Sequence, residues 1–267
     1  MLAIGAVGYL NALPLIHNLD RGNRIRLVRK VPADLLMGLE TERLDVALCP
    51  VIDAQTSSHD LIIVPSGAIG ARSKTLTVRI FSKCPLDEIR CLHVDGDSHT
   101  SIALAQVVFQ RRFGRIPEIV PLRQPGDLDH RGDIEAALLI GDKVITAEPP
   151  QTRFPHQLDL GEAWREMTGL PFVFAAWLAR RNTDLGDLPR VLEKVRRENC
   201  NHLEDRVGAW ARAHGWPEEG ALVYLRDLLD YDLGPQQLEA MRLFWKECAN
   251  LGIIDTLRTI NILGNEP

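Results

Sequence analysis

Short apolar runs and longer amphipathic segments alternate along the first eighty residues of the chain. Residues 2–7 are apolar and short enough for a buried strand, and residues 46–49 repeat that pattern. Residues 25–29 can also form a strand. Residues 32–41 carry apolar side chains at helical spacing and begin with a proline, which suits a first helical turn. In residues 75–82 apolar and polar side chains alternate, as in a half-covered strand. This succession of strands and helices predicts an α/β unit.

The same succession restarts after residue 85. Residues 91–94, 119–122 and 136–140 predict strands. Residues 101–113 predict a helix, and Gly114 is placed to end it. A second α/β unit therefore follows the first.

From residue 188 onward the pattern is helical throughout. Residues 188–213 predict one long helix, and residues 218–229 and 236–251 predict two more. The chain is thus expected to consist of two α/β units followed by a helical tail.

Two apolar segments, near 75–85 and 172–179, would connect the two units. Two crossings between two lobes make a hinge, so we predict a bilobal α/β fold that closes on a ligand. One lobe is expected to hold residues 1–82 together with 178–267, which include the helical tail. The other lobe is expected to hold residues 83–177.

Composition and charge narrow the range of partners. Of the 267 residues, 45% are hydrophobic, which suits one large domain or two lobes. Lys and Arg number 31 against 36 Asp and Glu, a net charge of −5. A chain of this charge has no global positive field for nucleic acid or anionic lipid, so we expect neither as a partner. A small anionic ligand would have to be held by local donors.

Cysteine and histidine usage indicates neither disulfides nor metal. The five cysteines are scattered without a C-x-x-C pair, and the eight histidines show no H-E-x-x-H spacing. We expect reduced thiols, no metal site and a cytoplasmic location. The apolar run at residues 2–7 is short and no basic region precedes it, so neither a signal peptide nor a transmembrane span is expected.

The first candidate site lies where the first strand gives way to a helix. Asn11 and Pro14 follow the apolar run, so the helix N-terminus would sit at the carboxyl end of a strand, where α/β sheets bind ligands. Unpaired N–H groups at that terminus would favour an anion. Asn11 would either cap the helix or bind a ligand through its amide, with Tyr9 as a wall of the pocket.

A second candidate lies before the helix of the second unit. Ser98, Thr100 and Ser101 supply three hydroxyls beside the bare N–H groups of a helix start, which is more than one cap requires. A carboxylate held there would gain charge-assisted hydrogen bonds.

Two further pairs of residues are candidates. Gly141 and Asp142 follow an apolar strand, and they form either an ordinary turn with Asp142 as a helix cap or a close backbone approach to a ligand. Thr77 and Arg79 share one face of a strand. Arg79 is either a solvated side chain or a fork that binds a carboxylate.

Seven segments spread over nearly the whole chain carry a family resemblance. They are residues 8–14 (GYLNALP), 45–51 (DVALCPV), 75–82 (TLTVRIFS), 97–101 (DSHTS), 137–142 (ALLIGD), 159–164 (DLGEAW) and 168–175 (TGLPFVFA). With these segments the chain resembles the chorismate dehydratases of the futalosine route of menaquinone biosynthesis. The family often has Ser where this chain has Gly8. The related dihydroxynaphthoate synthases typically open with Ser-Pro-Cys-Pro-Asn-Asp, which this chain lacks.

The resemblance implies a periplasmic-binding-protein-like type II fold and the dehydration of chorismate to 3-[(1-carboxyvinyl)oxy]benzoate. It also implies that neither a metal nor an organic cofactor takes part. On this hypothesis Asn11 and Thr77 act at the reacting centre. The substrate, a dianion, would be bound by the remaining candidates, which are Tyr9, Arg79, Ser98, Thr100, Ser101, Gly141 and Asp142. The substrate's own enolpyruvyl carboxylate would accept the ring proton.

A different class of function stays open at this point. The same bilobal fold serves non-catalytic binding proteins and sensors of small carboxylates, because fold alone does not decide function. Conversion of chorismate, as opposed to mere binding, separates the two. The oligomeric state, monomer or homodimer, does not follow from the sequence.

Overall fold

The computed structural model describes residues 1–22, 24–96, 98–122 and 134–264, without the side chain of Ala33. Asp97, in the polar loop predicted before the second unit's helix, lies outside the described residues. The strands are β1 (Leu2–Ala6), β2 (Ile25–Arg29), β3 (Val46–Pro50), β4 (Leu61–Ala71), β5 (Val78–Ser82), β6 (Cys91–Val94), β7 (Glu118–Pro121), β8 (Ala136–Ile140), β9 (His156–Asp159), β10 (Phe172–Arg180), β11 (Leu229–Asp230) and β12 (Asn261–Ile262).

Helices alternate with these strands and then take over the chain. They are α1 (Leu13–Ile16), α2 (Pro32–Glu40), α3 (Asp53–Thr56), α4 (His99–Phe113), α5 (Lys143–Thr146), α6 (Leu160–Thr168), α7 (Leu188–Asn201), α8 (Leu203–His214), α9 (Glu218–Val223) and α10 (Pro235–Asn250). The predicted α/β fold with a helical tail is confirmed.

The strands form two separate sheets. The larger has the order β11-β4-β10-β3-β1-β2, with β12 paired to β4, and the smaller has the order β7-β6-β8-β5-β9. In the larger sheet β1 runs parallel to β2 and β3, whereas β10 runs antiparallel to β3 and β4. In the smaller sheet β6 runs parallel to β7 and β8, and β5 runs antiparallel to β8. The parallel strands end toward a common region, where ligands are expected.

Strand pairing differs from the predicted lobe boundaries at both connections. Strand β5, which the sequence placed in the first lobe, pairs with β8 and β9 of the smaller sheet. Strand β10, most of which fell before the boundary at residue 178, pairs with β3 and β4 of the larger sheet. The chain therefore changes sheet just before β5 and just before β10. Both strands are apolar enough to suit either sheet, so only the strand pairing shows to which sheet each belongs.

The helical tail is more broken than its periodicity predicts. The expected helix over residues 188–213 is two helices, α7 and α8, separated at His202. The expected helix over residues 218–229 is α9 followed by a π-helical turn, Tyr224–Leu228. π-helical turns are rare and occur frequently at functional sites.

An aromatic cluster packs the tail onto strand β10 of the larger sheet and onto helix α6. Trp164 of α6, Phe172 of β10 and Phe244 of α10 are buried and meet edge to face, with ring centroids 5.1–6.2 Å apart. The Trp164 indole N–H donates to Pro171 O at 3.0 Å, which satisfies its one polar atom. Within the described residues no helix is both long and apolar enough to cross a membrane.

Candidate active site

A cavity opens between the two sheets, at the carboxyl ends of strands β1 and β3 in one and β8 in the other. The space between its lining residues, counted together with the solvent-filled opening, is about 590 Å³. Six of the predicted site residues line it, namely Tyr9, Asn11, Thr77, Ser98, Ser101 and Gly141. Among the described residues that line it, none carries a charged side chain. Any anion bound here is held by hydroxyls, amides and backbone N–H groups.

Asn11 does not cap a helix. It lies inside a single 3₁₀ turn, Leu10–Ala12, and no side chain caps either that turn or α1. The predicted anion site at this helix start does not hold, because α1 spans only four residues and offers no extended dipole. Instead, Asn11 Oδ1 is buried at the cavity without a hydrogen-bond partner among the described residues. A buried acceptor left unpaired is costly, so a ligand donor would be stabilised there.

Tyr224 joins this group from the helical tail, and nothing in the sequence pattern pointed to it. Its hydroxyl oxygen lies 2.6 Å from Thr77 Oγ1, and its side chain also hydrogen-bonds that of Asn11. Burial raises the pKa of Tyr224, so it remains a neutral hydroxyl at physiological pH. Its ring stacks on that of Trp216, with centroids 4.8 Å apart. The tail therefore places a rigid hydroxyl between the two residues predicted to act at the reacting centre.

The loop that carries Thr77 is held by Asp159. This buried carboxylate accepts from the Thr75 and Leu76 N–H groups and from the Thr75 hydroxyl. It also caps α6 by accepting from the N–H groups of residues 161 and 162. Leu76 has φ +65°, a left-handed conformation that a leucine adopts only under constraint. The Asp159 hydrogen bonds supply that constraint.

The predicted site residues at the first turn of α4 have two different structural roles. Ser98 and Ser101 line the cavity, and their hydroxyl oxygens lie 2.9 Å apart. Ser98 Oγ also accepts from the Ser101 N–H, so Ser98 is the helix cap. Thr100 is fully buried and points elsewhere, because its Oγ1 accepts from the Ile52 N–H at 3.2 Å. Its predicted contact with substrate gains no support from this geometry, and its observed contact joins the two lobes.

Gly141 and Tyr9 meet across the cavity mouth. Gly141 has φ +69°, and a Cβ placed on it would lie 3.3 Å from two carbons of the Tyr9 ring. A glycine is needed both for the backbone conformation and for the close approach of the ring. The close approach of Gly141 is therefore to the Tyr9 ring of the other lobe.

Asp142 and Arg79 lie outside the cavity lining. Asp142 accepts from the Leu10 N–H at 3.1 Å and from the Trp216 indole N–H at 3.0 Å, and burial raises its pKa. It does not cap α5 through its side chain. Arg79 pairs with Glu148 at 2.9 Å and stacks 4.9 Å over the Phe81 ring. Because these partners occupy both side chains, their predicted contacts with substrate gain no support from the geometry.

Gly8, where the family resemblance led us to expect serine, is exposed and does not line the cavity. A Cβ there would come no closer than 4.0 Å to Arg29 Cδ, so a serine would fit. Within the described residues no group of three or more His, Cys, Asp or Glu side chains is placed to hold a metal ion.

Two sheets, a cleft between their strand ends and a chain that crosses twice define a bilobal protein of the periplasmic-binding-protein fold. Solved structures agree. Protein AF1704 from Archaeoglobus fulgidus superposes with a TM-score of 0.73 at 16% identity, over 95% of this chain and 98% of that one. The periplasmic aliphatic sulphonate binding protein SsuA from Escherichia coli gives a TM-score of 0.65 at 13% identity, over 100% and 94%. Identities this low establish the fold alone.

Sequence comparison identifies the family. A family model described as menaquinone biosynthesis matches residues 2–250, so the chain belongs to that family. The chorismate dehydratase of Thermus thermophilus is 30% identical over 79% of this chain and 82% of its own length. The chorismate dehydratase of Campylobacter jejuni is 23% identical over 94% and 100%. The 1,4-dihydroxy-6-naphtoate synthase of Thermus thermophilus is 32% identical, but over only 65% of this chain and 57% of its own length.

Proposed function

We propose that this protein is a chorismate dehydratase, which removes water from chorismate to give 3-[(1-carboxyvinyl)oxy]benzoate in menaquinone biosynthesis by the futalosine route. The observation that carries the proposal is the 30% identity to the Thermus thermophilus chorismate dehydratase over 79% of this chain. The naphthoate synthase matches a shorter part of the chain and of itself, which favours the dehydratase. The family resemblance in the first fourteen residues points the same way.

The cavity is suited to a small dianion that carries a hydroxyl. Ser98 and Ser101 share one hydrogen bond between their hydroxyls, so one O–H of the pair remains for a ligand. They sit at the N-terminus of the fifteen-residue helix α4, where a carboxylate is favoured by unpaired N–H groups. In a cavity without charged walls, such fixed dipoles interact strongly with a carboxylate.

The leaving hydroxyl would be handled by Asn11, Thr77 and Tyr224. Asn11 Oδ1 is free to accept from the substrate hydroxyl, which fixes its orientation. The Thr77–Tyr224 pair shares one hydrogen bond between two hydroxyls, so one O–H is left to donate toward the departing oxygen. A donor aimed at the oxygen stabilises the negative charge that develops on it as the carbon–oxygen bond breaks.

The ring proton needs an acceptor, and none of the described lining residues is a carboxylate or an imidazole. We propose that the substrate's own enolpyruvyl carboxylate takes it. Loss of that proton and of the hydroxyl makes the ring aromatic and releases one water, so the reaction balances without a redox cofactor. Holding the substrate between two lobes supplies the geometry and excludes solvent.

The small-molecule substrate is the partner that the relatives' names imply. Neither nucleic acid nor a membrane is needed for the proposed reaction, and we propose that it takes place in the cytoplasm. Whether one chain or two form the working enzyme is not part of the proposal.

The test is direct conversion of chorismate by the purified protein. We expect chorismate to disappear and an aromatic product one water lighter to form, as followed by absorbance and mass spectrometry. Asn11→Ala serves as the control for contaminating activity, because it removes the unpaired acceptor. Binding of chorismate without turnover in calorimetry would instead support a binding protein, and formation of a naphthoate product from the pathway's later substrate would support the synthase.

A further inference from the structure

The first turn of α4 is tied to the other lobe by an ion pair beside the cavity. His99, the first residue of α4, places its Nδ1 2.7 Å from Oδ1 of Asp53, the first residue of α3. Asp53 is completely buried, whereas the His99 side chain is 40% exposed. The second carboxylate oxygen of Asp53 has no partner among the described residues. His99 is therefore the residue that compensates this buried carboxylate.

The next residue repeats the connection. Thr100 Oγ1 accepts from the Ile52 N–H at 3.2 Å, so consecutive residues of α4 contact consecutive residues of the first lobe. Their flanking neighbours, Ser98 and Ser101, face the cavity. The two contacts between lobes thus fix the position of the two serines that line the cleft.

Because Asp53 is buried, the strength of its contact with His99 depends on whether the His99 ring is protonated. A carboxylate removed from water is strongly disfavoured unless a charged or hydrogen-bonded partner compensates it. Separation of the lobes would remove His99 from Asp53 and open that carboxylate to water. With the lobes together, a protonated His99 provides a full positive charge, whereas a neutral ring provides at best one hydrogen bond. Closure is therefore favoured when His99 carries its proton.

The surroundings of the pair offer no substitute for that charge. Two other described titratable groups interact electrostatically with Asp53. They are Glu40 on α2 and Cys49 on β3. Glu40 adds negative charge, and Cys49 stays a neutral thiol because burial raises its pKa. The hydrogen bond to Asp53 raises the pKa of His99, although its partial burial acts in the opposite direction.

We propose that His99 is a positioning residue whose protonated ring, paired with Asp53, closes the cleft and sets the first turn of α4 over the substrate. The effect on affinity is fully present below the ordinary pKa of histidine, about 6.5, and is lost as the pH rises through the higher pKa of the closed state. The kinetic consequence rests on the proposed dehydration of chorismate. The proton linkage itself does not.

The kinetic test compares KM and kcat for chorismate from about pH 6 to about pH 9, a range that spans histidine titration. We expect KM of the wild type to rise at least about fivefold across this range, with a much smaller change in kcat. In His99→Gln, KM should be high and flat, and in His99→Lys, whose ammonium stays charged, it should be low and flat. The matched control is His202→Gln, because His202, between α7 and α8, pairs with Asp205 of α8 at 3.4 Å and both side chains are exposed. It should keep the wild-type profile.

The second test needs no substrate. Proton NMR of the histidine rings, assigned with His99→Gln, gives the pKa of His99 directly. We expect a value above about 6.5 in the wild type, and a fall in Asp53→Asn. If Asp53→Asn fails to fold, the pKa of His99 in the wild type and the KM profile of His99→Lys still test the inference. A His99 ring that titrates at or below 6.5, or identical KM profiles for wild type and His99→Gln, would overturn the inference. A protein that leaves chorismate unchanged would defeat the proposed function only, since the ring titration is independent of it.

Discussion

The hydroxyl oxygens of Tyr224 and Thr77 lie 2.6 Å apart, and this contact joins the helical tail to the loop that enters β5. Both side chains are buried, with exposures of 1% and 2%. Tyr224 stands on a π-helical turn and is fixed by its stacking on Trp216. The tail thus lines the candidate cleft through Tyr224 as well as supporting the first lobe.

Removing the Tyr224 hydroxyl should impair chemistry more than binding. In Tyr224→Phe, Thr77 loses its partner in a buried site, which costs about 1–3 kcal/mol. We expect kcat for chorismate to fall by roughly tenfold to a hundredfold, with KM changed less, as measured by steady-state kinetics. Tyr231→Phe is the comparison, since Tyr231 donates to the backbone O of Asn11 and does not line the cavity. Equal losses in both variants would contradict a specific role for Tyr224.

Substitutions of Asn11 and Thr100 should have different kinetic effects, because Asn11 is proposed to contact the substrate whereas Thr100 joins the lobes. Asn11→Ala removes the unpaired acceptor and should lower kcat/KM. The loss of transition-state stabilisation should be about 2–4 kcal/mol, the size of one lost contact. Thr100→Ala removes the acceptor of the Ile52 N–H and should mainly raise KM. Steady-state kinetics on chorismate measure both. A Thr100→Ala variant with normal KM and reduced kcat would show that Thr100 acts at the reacting centre after all.

Gly141, which lines the cleft, and Gly8, which does not, should respond differently to an added side chain. Gly141→Ala forces an L-residue into φ +69° and brings a methyl 3.3 Å from the Tyr9 ring, so about 1–2 kcal/mol of stability should be lost together with activity. Gly8→Ser meets open space and should change the free energy of unfolding by no more than about 0.5 kcal/mol. Urea denaturation and the chorismate assay check both. A large rise in kcat for Gly8→Ser would mean that a serine hydroxyl there reaches the substrate.

Asp159 should matter for stability and activity together. Asp159→Ala leaves the buried N–H groups of Thr75 and Leu76 unpaired and removes the cap of α6, so we expect a loss of at least about 3 kcal/mol in urea denaturation. The surviving folded protein should also have a lower kcat, because Leu76 no longer keeps φ +65° and Thr77 moves. Asp184→Ala, which removes an exposed contact to the Gly186 N–H, is the control. It should change stability by about 0.5 kcal/mol or less.

Local patterns were sufficient to predict most of the fold. Strands Cys91–Val94 and Ala136–Ile140 have the predicted bounds, and Gly114 ends α4 as predicted, in the left-handed conformation. The sequence could not say to which sheet β5 and β10 belong. That choice depends on which strands lie beside them, and periodicity describes only the faces of a strand.

The candidate site was predictable only where it follows a strand end. Asn11, Ser98 and Gly141 follow strands β1, β6 and β8 within five residues, so a general rule for α/β sheets finds them. Tyr224 comes from the tail, and its nearest site partner, Thr77, is 147 residues away in sequence. Nothing local marks such a residue. Arg79 had the right chemistry for a carboxylate, yet Glu148 and Phe81 hold its guanidinium elsewhere.

During synthesis the cleft cannot form until residues far along the sequence have been made. The Tyr231 hydroxyl donates to Asn11 O at 3.1 Å across 220 residues of chain. At roughly 5–20 residues per second, a nascent chain exposes its N-terminal strand for about 11–44 s before the ribosome delivers that partner. Throughout that interval the apolar residues that the tail will bury stay exposed, and such surface makes an incomplete chain prone to aggregation.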